Sequence, residues 1–229
     1  MALYAIGDTH LSLSSDKSME VFGVGWERYV DRLRGGFEQV RPDDTVVLCG
    51  DLSWGMSLQD TVKDFAFLSR ELPGEKWLVK GNHDYWWSTA AKMNAFFLEQ
   101  GFCNLHILHN NCAFYGDVAL CGTRGWFYEE NGTPQSEKVF RRELIRLEAS
   151  LKAAGEREKL CFLHYPPLYK GYCCQEIMDL LEQYGVRACY YGHLHGPSHR
   201  LAQQGVRGTV DYQLVSADFV GFQPKKILE

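Results

Sequence analysis

Hydrophobic residues are distributed along the chain in two alternating patterns, short uninterrupted runs and longer amphipathic segments. The short runs are rich in aliphatic and aromatic residues, which is typical of buried strands. They cover residues 3–6, 46–49, 77–79, 160–163 and 188–191. In the longer segments the apolar positions recur at intervals of three and four residues, which predicts helices. These segments cover residues 26–40, 61–72, 86–100, 137–154 and 175–184.

Shorter apolar runs in the middle and tail of the chain predict closely spaced strands. These strands are expected at residues 105–108, 112–115 and 118–121, and in a tail hairpin at residues 199–202 and 209–215. Gly116-Asp117 marks one turn, and Gly205 and Gly208 lie in or beside the turn of the tail hairpin. Strands that alternate with helices, together with hairpins, predict an α/β layered fold with mixed sheets.

The sequence shows no boundary between domains. No Pro/Ser-rich linker, internal repeat or low-complexity segment interrupts it, so a single domain over residues 1–229 is expected. Three longer irregular stretches remain, at residues 11–25, 124–136 and 165–174. Because long loops in compact domains are often functional, these stretches are candidates for shaping a substrate pocket.

Composition and charge narrow the class of protein. Of the 229 residues, 45% are hydrophobic and 23% are charged, as in ordinary soluble globular proteins. The formal net charge is -5, and no Lys/Arg-rich strip is present. A dedicated nucleic-acid binder is therefore disfavoured, because it would need a basic surface to attract phosphates.

The N-terminus and the cysteines predict a cytoplasmic protein. The first residues lack the basic start and long apolar run of a signal peptide. No apolar stretch approaches the ~20 residues that span a bilayer, so no membrane partner is expected. The eight cysteines show no regular framework, and several lie inside apolar runs, where free thiols behave as small hydrophobic residues.

Five short polar fragments each follow a predicted strand. They are Asp8-Thr9-His10, Gly50-Asp51, Gly81-Asn82-His83-Asp84, His164-Tyr165-Pro166 and Gly192-His193-Leu194-His195. In layered α/β folds this position is the carboxyl edge of a sheet, where ligand sites gather. Asp8 and His10 are two residues apart, and in extended backbone this spacing places both side chains on one face. The same holds for His193 and His195.

The side chains of these fragments form a set of candidate metal ligands. The set is Asp8, His10, Asp51, Asn82, His164, His193 and His195. Four histidines favour transition metals, Mn, Fe, Zn or Ni, over an all-oxygen Mg or Ca site. Seven ligands are too many for one ion with an open position and suit two ions that share a carboxylate. Two such ions can clamp a phosphoryl group and generate a nucleophile from water at neutral pH.

The combined fragments resemble the signature of the calcineurin-like metallophosphoesterases, D-x-H, G-D, G-N-H-[DE], H and G-H-x-H, over residues 8–195. The resemblance implies a four-layer αββα sandwich with two mixed β-sheets flanked by helices, and a dinuclear centre of divalent or trivalent ions. It implies one metal held by Asp8, His10 and His195, a second held by Asn82, His164 and His193, and Asp51 as the bridge. A metal-bridging hydroxide would be the nucleophile.

The same resemblance implies a catalytic role for His83, which would donate a hydrogen bond or proton to the leaving group. The chain departs from the Ser/Thr protein phosphatases, whose second motif reads G-D-x-x-D-R-G. Here Trp54 stands at the acid position and Gly55 at the arginine position, and Asp84 stands where those phosphatases carry Glu. That branch is therefore disfavoured. The Asp84 form is shared with cyclic-nucleotide phosphodiesterases, repair nucleases and other phosphoesterases.

For several residues the sequence allows two interpretations. Asp84 either caps the helix predicted at 86–100 or orients His83 as a catalytic residue. Arg124 either pairs with phosphate or is a solvated surface side chain, and His199 is expected to pack structurally. Nearby aromatic residues either stack on a flat leaving group or pack helix against sheet. They are Trp54, Tyr85, Trp86, Trp87, Trp126, Phe127, Tyr128, Tyr165 and Tyr169.

The sequence as a whole predicts a metal-dependent phosphoric ester hydrolase. Its substrate is expected to be a small phosphodiester or phosphomonoester. Two alternatives remain, a metal-dependent nuclease and a non-catalytic scaffold with a metallophosphoesterase-like fold. The charge argues against the nuclease, and the complete ligand set with His83 argues against the scaffold.

Overall fold

The computed structural model of the protein describes residues 1–15, 17–126 and 134–229. The strands are β1 (Leu3–Ile6), β2 (Thr45–Cys49), β3 (Glu75–Val79), β4 (Leu105–Ile107), β5 (Cys112–Tyr115), β6 (Val118–Thr123), β7 (Glu158–Leu163), β8 (Leu168–Tyr169), β9 (Tyr172–Cys173), β10 (Val186–Tyr191), β11 (Gly205–Arg207), β12 (Val210–Leu214) and β13 (Lys225–Leu228). The α-helices are α1 (Tyr29–Gly36), α2 (Val62–Ala66), α3 (Ala90–Gln100), α4 (Pro134–Ala153) and α5 (Gln175–Gln183). Single 3-10 segments lie at Met19–Phe22, Val24–Trp26, Phe37–Gln39, Gln59–Thr61 and Gly196–Leu201, and a π-helical turn lies at Phe67–Glu71.

Most strands belong to two large mixed sheets. The first has the order β13-β1-β2-β3-β4, in which only the pairing of β13 with β1 is antiparallel. The second has the order β11-β12-β10-β7-β6-β5, with antiparallel pairs at both edges and parallel strands between them. Parallel strands covered on both faces need apolar residues at every position, which explains the uninterrupted hydrophobic runs.

The two large sheets pack face to face, and helices cover their outer faces. Successive residues of a strand point to opposite faces, so Leu3 and Ala5 of β1 lie in the core between the sheets. Tyr4 and Ile6 point the other way, into the core beneath α1, α2 and α3. On the second sheet the outer core is closed by α4 and α5. The layers follow the order αββα, which confirms the predicted four-layer sandwich.

The predicted strands in the parallel parts of both sheets are confirmed. The helices α1, α2 and α3 are shorter than expected, whereas α4 begins three residues earlier, at Pro134. The segment at 26–40 is helical only from Tyr29, and the segment at 61–72 ends in the π-helical turn. The predicted strand at 199–202 is wrong. That stretch belongs to a 3-10 segment with Pro197 in its first turn, and β11 is the true partner of β12. Within the described ranges no helix is both long and apolar enough to cross a membrane.

The structure describes the predicted loop at 165–174 but only part of the one at 124–136. The stretch at 165–174 contains the short antiparallel pair β8 and β9. Most of the stretch at 124–136 consists of residues 127–133, which lie outside the described residues. Phe127 and Tyr128 are among them. A single domain over residues 1–229 stays a prediction.

The C-terminal tail is anchored to both β1 and α1. β13 adds to the edge of the first sheet, although its sequence begins with two lysines. Phe222 is fully buried and packs edge-on against the Trp26 indole, with ring centroids 5.3 Å apart. Its carbonyl oxygen lies so close to Gly36 that a Cβ at that glycine would be 2.0 Å away. The tail therefore reaches its place only because Gly36 has no side chain.

We expect Gly36→Ala to lower the free energy of unfolding by about 1–3 kcal/mol, because the new methyl group displaces the tail backbone. The neighbouring Gly35→Ala is the matched control, since a Cβ there meets nothing within 4 Å. In the same helix it should raise stability by about 0.5–1 kcal/mol. Urea unfolding of both variants measures the difference, and equal effects would contradict the proposed contact.

Lys76 is a buried cation in β3. Its side chain is 0% exposed, and its Nζ donates hydrogen bonds to the carbonyl oxygens of Leu72 at 2.8 Å and Gly74 at 2.7 Å. Burial lowers the pKa of Lys76 from 10.5 to about 7. Between these values the unfolded chain keeps a proton on Lys76 that the folded chain has lost. The contribution of this group to stability therefore rises with pH across that window.

We expect the free energy of unfolding of the wild type, relative to Lys76→Met, to rise by about 1 kcal/mol per pH unit from pH 7 to 9. The substitution also leaves the carbonyl oxygen of Leu72 without its donor from Lys76 and leaves that of Gly74 with the Asn104 side chain alone, but this cost is the same at every pH. Urea unfolding at pH 7, 8 and 9 measures the slope. Lys92→Met, at an exposed position of α3, is the control and should follow the wild type.

Candidate metal centre

The five fragments meet at one end of the central strands. Asp8, Asp51 and Asn82 follow β1, β2 and β3 of the first sheet, and His164 and His193 follow β7 and β10 of the second. Because these strands are parallel within their sheets, their carboxyl ends lie along the same edge. The predicted position at the strand ends therefore agrees with the fold.

Asp8, His10 and His195 form the first group of possible ligands. One donor atom from each lies within 4.8 Å of the others. Nε2 of His195 lies 3.4 Å from Oδ1 of Asp8. Asp8 is fully buried, and both its oxygens accept a hydrogen bond from the backbone N–H of His193 at 3.0 Å. The backbone that carries one predicted ligand thus orients another.

Asp51, His164 and His193 form the second group, again with one donor atom from each within 4.8 Å of the others. Oδ1 of Asn82 lies 2.6 Å from Nε2 of His164. The other ring nitrogen of His164, Nδ1, lies 3.1 Å from the carbonyl oxygen of Cys49, which fixes the orientation of the ring. The amide oxygen and the imidazole nitrogen therefore converge on the same point.

Asp51 lies between the two groups. Its Oδ2 is 3.7 Å from Nε2 of His10 and 3.6 Å from Nε2 of His164. Its Oδ1 accepts a hydrogen bond from the backbone N–H of His83 at 2.7 Å. One carboxylate oxygen therefore faces a histidine of each group, as a bridging ligand would.

Four of the seven predicted ligands have left-handed backbone conformations. The φ angles are 59° at Asp8, 43° at His10, 52° at Asp51 and 73° at His193. Such angles are uncommon outside glycine, and they concentrate at functional sites, where the surrounding fold holds them. The expectation that Asp8 and His10 converge from an extended backbone is therefore wrong. They converge because the chain turns tightly immediately after β1.

Two motif glycines allow the carboxylates to come this close. A Cβ at Gly192 would lie 2.2 Å from Oδ2 of Asp8, and a Cβ at Gly81 would lie 2.1 Å from Oδ1 of Asp51. Neither position can therefore carry a side chain without moving a predicted ligand. This close approach gives the glycines of the Gly-Asn-His and Gly-His motifs a physical role.

The electrostatics of the site fit cations. Burial, together with Asp84 and Asp8, raises the pKa of Asp51 well above its usual range. Burial lowers the pKa of His10 and His164 well below the usual range, and lowers that of His193 to about 4. The site thus combines crowded carboxylates with neutral imidazoles whose lone pairs are available. Buried carboxylates in this setting need a positive partner, and a divalent metal ion held by these nitrogen and oxygen atoms would provide one.

His195 shows the same need for a cation. Burial alone would lower its pKa, but the nearby carboxylates of Asp218 and Asp8 raise the pKa of His195 to about 10. Its Nδ1 lies 2.9 Å from Oδ1 of Asp218, whereas its buried Nε2 has no hydrogen-bond partner among the described residues. A metal at Nε2 would take the place of the proton that otherwise offsets Asp8.

Asp218 was not among the residues predicted from the sequence. Its Oδ1 lies against His195, and its Oδ2 accepts a hydrogen bond from the N–H of Gly196 at 3.0 Å and lies 3.2 Å from Nε2 of His199. His199, expected to pack structurally, therefore belongs to the surroundings of a predicted ligand. A signal was present, since Asp218 follows β12 shortly after the strand ends, as the other fragments follow theirs.

His83 lies beside the first group of ligands and is half-buried. Its ring centroid is 5.8 Å from that of His10 and 4.6 Å from that of Trp54. Trp54 also stacks on His10 at 5.1 Å. Burial lowers the pKa of His83. The residue at the acid position of the Ser/Thr phosphatase motif is thus an indole that holds His83 by packing.

The structure contradicts one of the two interpretations of Asp84. Helix α3 begins at Ala90, and Thr89 caps it by accepting a hydrogen bond from the N–H of Lys92, so the capping interpretation is wrong. Within the described residues, the carboxylate of Asp84 is bonded by backbone N–H groups and one indole. The donors are the N–H groups of Gly81, Asp51, Leu52 and Ser53 and Nε1 of Trp86. Asp84 thus holds together the backbone segments that follow β2 and β3, and the orientation of His83 by Asp84 stays a prediction.

Comparisons with known proteins support the fold and identify the family. The fold is similar to two solved structures, each 14% identical in sequence. TT1561 of Thermus thermophilus has a TM-score of 0.57 with 99% of this chain and 97% of that chain covered. A protein of unknown function, AQ665 from Aquifex aeolicus, has a TM-score of 0.52 with 98% and 95% covered. Among curated proteins none matches the sequence significantly. The profile of the calcineurin-like phosphoesterases matches residues 1–197, and the chain therefore belongs to the calcineurin-like phosphoesterase family.

Proposed function

We propose that the protein hydrolyses a small phosphomonoester or phosphodiester at a centre of two transition-metal ions, Mn, Fe or Zn, with Ni as a further candidate. The observation that carries the proposal is the position of Asp51 between two groups of buried donors. Family membership supports a phosphoesterase, and the donor atoms support two adjacent cations.

The residues divide into two metal sites. Asp8, His10 and His195 would hold one ion, Asn82, His164 and His193 the other, and Asp51 both. When bound, the two ions would neutralise charge on the phosphoryl group and supply a nucleophile from water at neutral pH. The neutral imidazoles and the oriented carboxylates are this chain's contribution, because they need little rearrangement to accept cations.

His83 would act on the leaving group. Its ring lies beside the first group of ligands but is held by Trp54, and its buried Nδ1 has no hydrogen-bond partner among the described residues. Its backbone N–H is meanwhile bonded to Asp51. The ring is therefore fixed next to the proposed reaction centre, and one of its nitrogens, Nδ1, forms no hydrogen bond with the described residues. An imidazole in this position can donate a hydrogen bond or a proton to the departing oxygen.

We expect His83→Ala to lower kcat about 10²- to 10⁴-fold while the protein retains its metal, because the variant loses a proton donor but no ligand. His164→Ala should lose both metal and activity. Turnover is measured with chromogenic mono- and bis-esters after addition of Mn, Fe, Zn or Ni, and metal content is measured by elemental analysis. His106→Ala is the control, since His106 lies at the surface and pairs with Glu75.

The proposal is contradicted by a wild type that hydrolyses neither ester with any of these metals, together with a His164→Ala variant that binds as much metal as the wild type. A protein that binds less than one ion per chain in excess metal would instead favour the scaffold interpretation.

We expect Asp218→Asn to weaken metal binding about 10- to 100-fold. Asp218 accepts the hydrogen from Nδ1 of His195 and so leaves Nε2 of that ring free to bind a metal. An uncharged amide would hold the ring less firmly. Competition with a chromogenic chelator measures the affinity without any assay of activity. Asp211→Asn, on β12 and outside the site, is the matched control, and an equal loss in both variants would rule out this role for Asp218.

A further inference from the structure

A cavity of about 530 Å³ lies beside the candidate metal centre and is lined by three cationic side chains, Lys80, Arg124 and Arg146. Two of them are tied to the predicted ligands through the backbone. Lys80 immediately precedes the Gly81-Asn82-His83 fragment. The carbonyl oxygen of Arg124 accepts a hydrogen bond from the N–H of His164 at 3.1 Å. The cavity is therefore a direct neighbour of the proposed reaction centre.

One aromatic ring contacts both a predicted ligand and a residue that lines the cavity. The Tyr165 ring packs edge-on against the imidazole of His193, with centroids 4.7 Å apart. The guanidinium carbon of Arg124 lies 5.9 Å from the centroid of the same Tyr165 ring. A substrate of modest size could therefore contact the metal ligands and Arg124 at the same time.

The charges in the cavity do not balance. Glu143 is the one acidic residue among the described residues that line it, so three cations and one carboxylate leave two positive charges. Glu143 is itself engaged, since its Oε2 accepts a hydrogen bond from Oγ1 of Thr123 at 2.8 Å and its Oε1 is paired with Arg146. It is a poor partner for Arg124, whose Nη2 lies 3.8 Å away.

The Arg124 guanidinium has an N–H group that forms no hydrogen bond with the described residues. Its side chain is 19% exposed, and its buried Nε has no hydrogen-bond partner among the described residues. A guanidinium with unused, partly desolvated N–H groups favours a planar or tetrahedral oxyanion that can accept two bonds.

Two further features favour negative charge. Thr89 and Ala90, at the N-terminus of α3, line the same cavity, and the N–H groups of a helix start attract anions. His109 lines it as well, and burial, with a contribution from Arg146, lowers the pKa of His109. The imidazole is therefore neutral at neutral pH and can accept or donate a hydrogen bond.

We infer that this cavity binds a second anionic group of the substrate, a phosphate, while the scissile phosphoester lies at the metal centre. The inference rests on the proposed function and narrows it to phosphoesters that carry another phosphate. Two uncompensated positive charges match a phosphate dianion. The Arg124 fork, Lys80 and the start of α3 supply donors to it.

The test compares two substrates that differ only at the end of one arm. Each is a phosphoester, of the class that the chromogenic assay shows to be hydrolysed, with an alkyl arm that ends in a phosphonate or in a hydroxyl group. Arms of increasing length are tried, because the phosphonate must reach the cavity. At the best length we expect the wild type to show a kcat/KM about 10- to 100-fold higher for the phosphonate arm.

In Arg124→Met and in Lys80→Met the ratio of the two substrates should fall towards one. The ratio is measured within each variant, so a loss of folding or metal that affects both substrates cancels. Arg142→Met is the matched control. It removes the same charge from an exposed position of α4 and should keep the wild-type ratio.

Three results would overturn the inference. A ratio near one in the wild type at every length excludes an anionic subsite for the substrate, and a wild-type ratio in Arg124→Met assigns the preference to other residues. If the cavity takes free phosphate instead, the wild type shows no preference for the phosphonate arm, and inorganic phosphate inhibits Arg124→Met less than the wild type. If the wild type hydrolyses neither of the two substrates, by contrast, the proposed function itself is overturned.

Discussion

The structure depends on the burial of Asp8 and Asp51 where the carboxyl ends of the two sheets meet. A buried carboxylate without a positive or hydrogen-bonding partner is strongly unfavourable, so everything around these two side chains has to compensate them. Backbone N–H groups of His193 and His83 do so in part. The neighbouring imidazoles of His10, His164 and His193 are neutral, so the remaining negative charge makes the site suited to divalent metal ions.

The same constraint explains the unusual backbone of the site. The chain turns with left-handed φ angles at both carboxylates, and it can do so because Gly192 and Gly81 leave space against their oxygens. The third buried carboxylate, Asp84, has a different partner set. It is surrounded by backbone N–H groups and therefore orders the loops that carry Asp51 and His83. Asp8 and Asp51 are the carboxylates that face the candidate metal positions.

The helical layer and the tail complete the site from a distance. Gly36 in α1 lets the tail approach closely enough for Phe222 to be buried, and the turn before Phe222 brings Asp218 against His195. Elsewhere around the centre, Tyr165 contacts both His193 and Arg124, and Arg124 lines the cationic cavity.

The sequence by itself determined the parallel strands and the chemistry at their ends. Buried parallel strands require continuous apolar runs, and polar residues directly after such runs have few purely structural explanations. It did not determine how the ends turn, what Asp84 contacts, or that β13 pairs with β1 although it begins with two lysines. Nor did it connect Asp218 to His195 or Arg124 to its cavity. Only the tertiary structure decided these points, because they depend on contacts between residues far apart in the chain, which leave no local periodicity to detect.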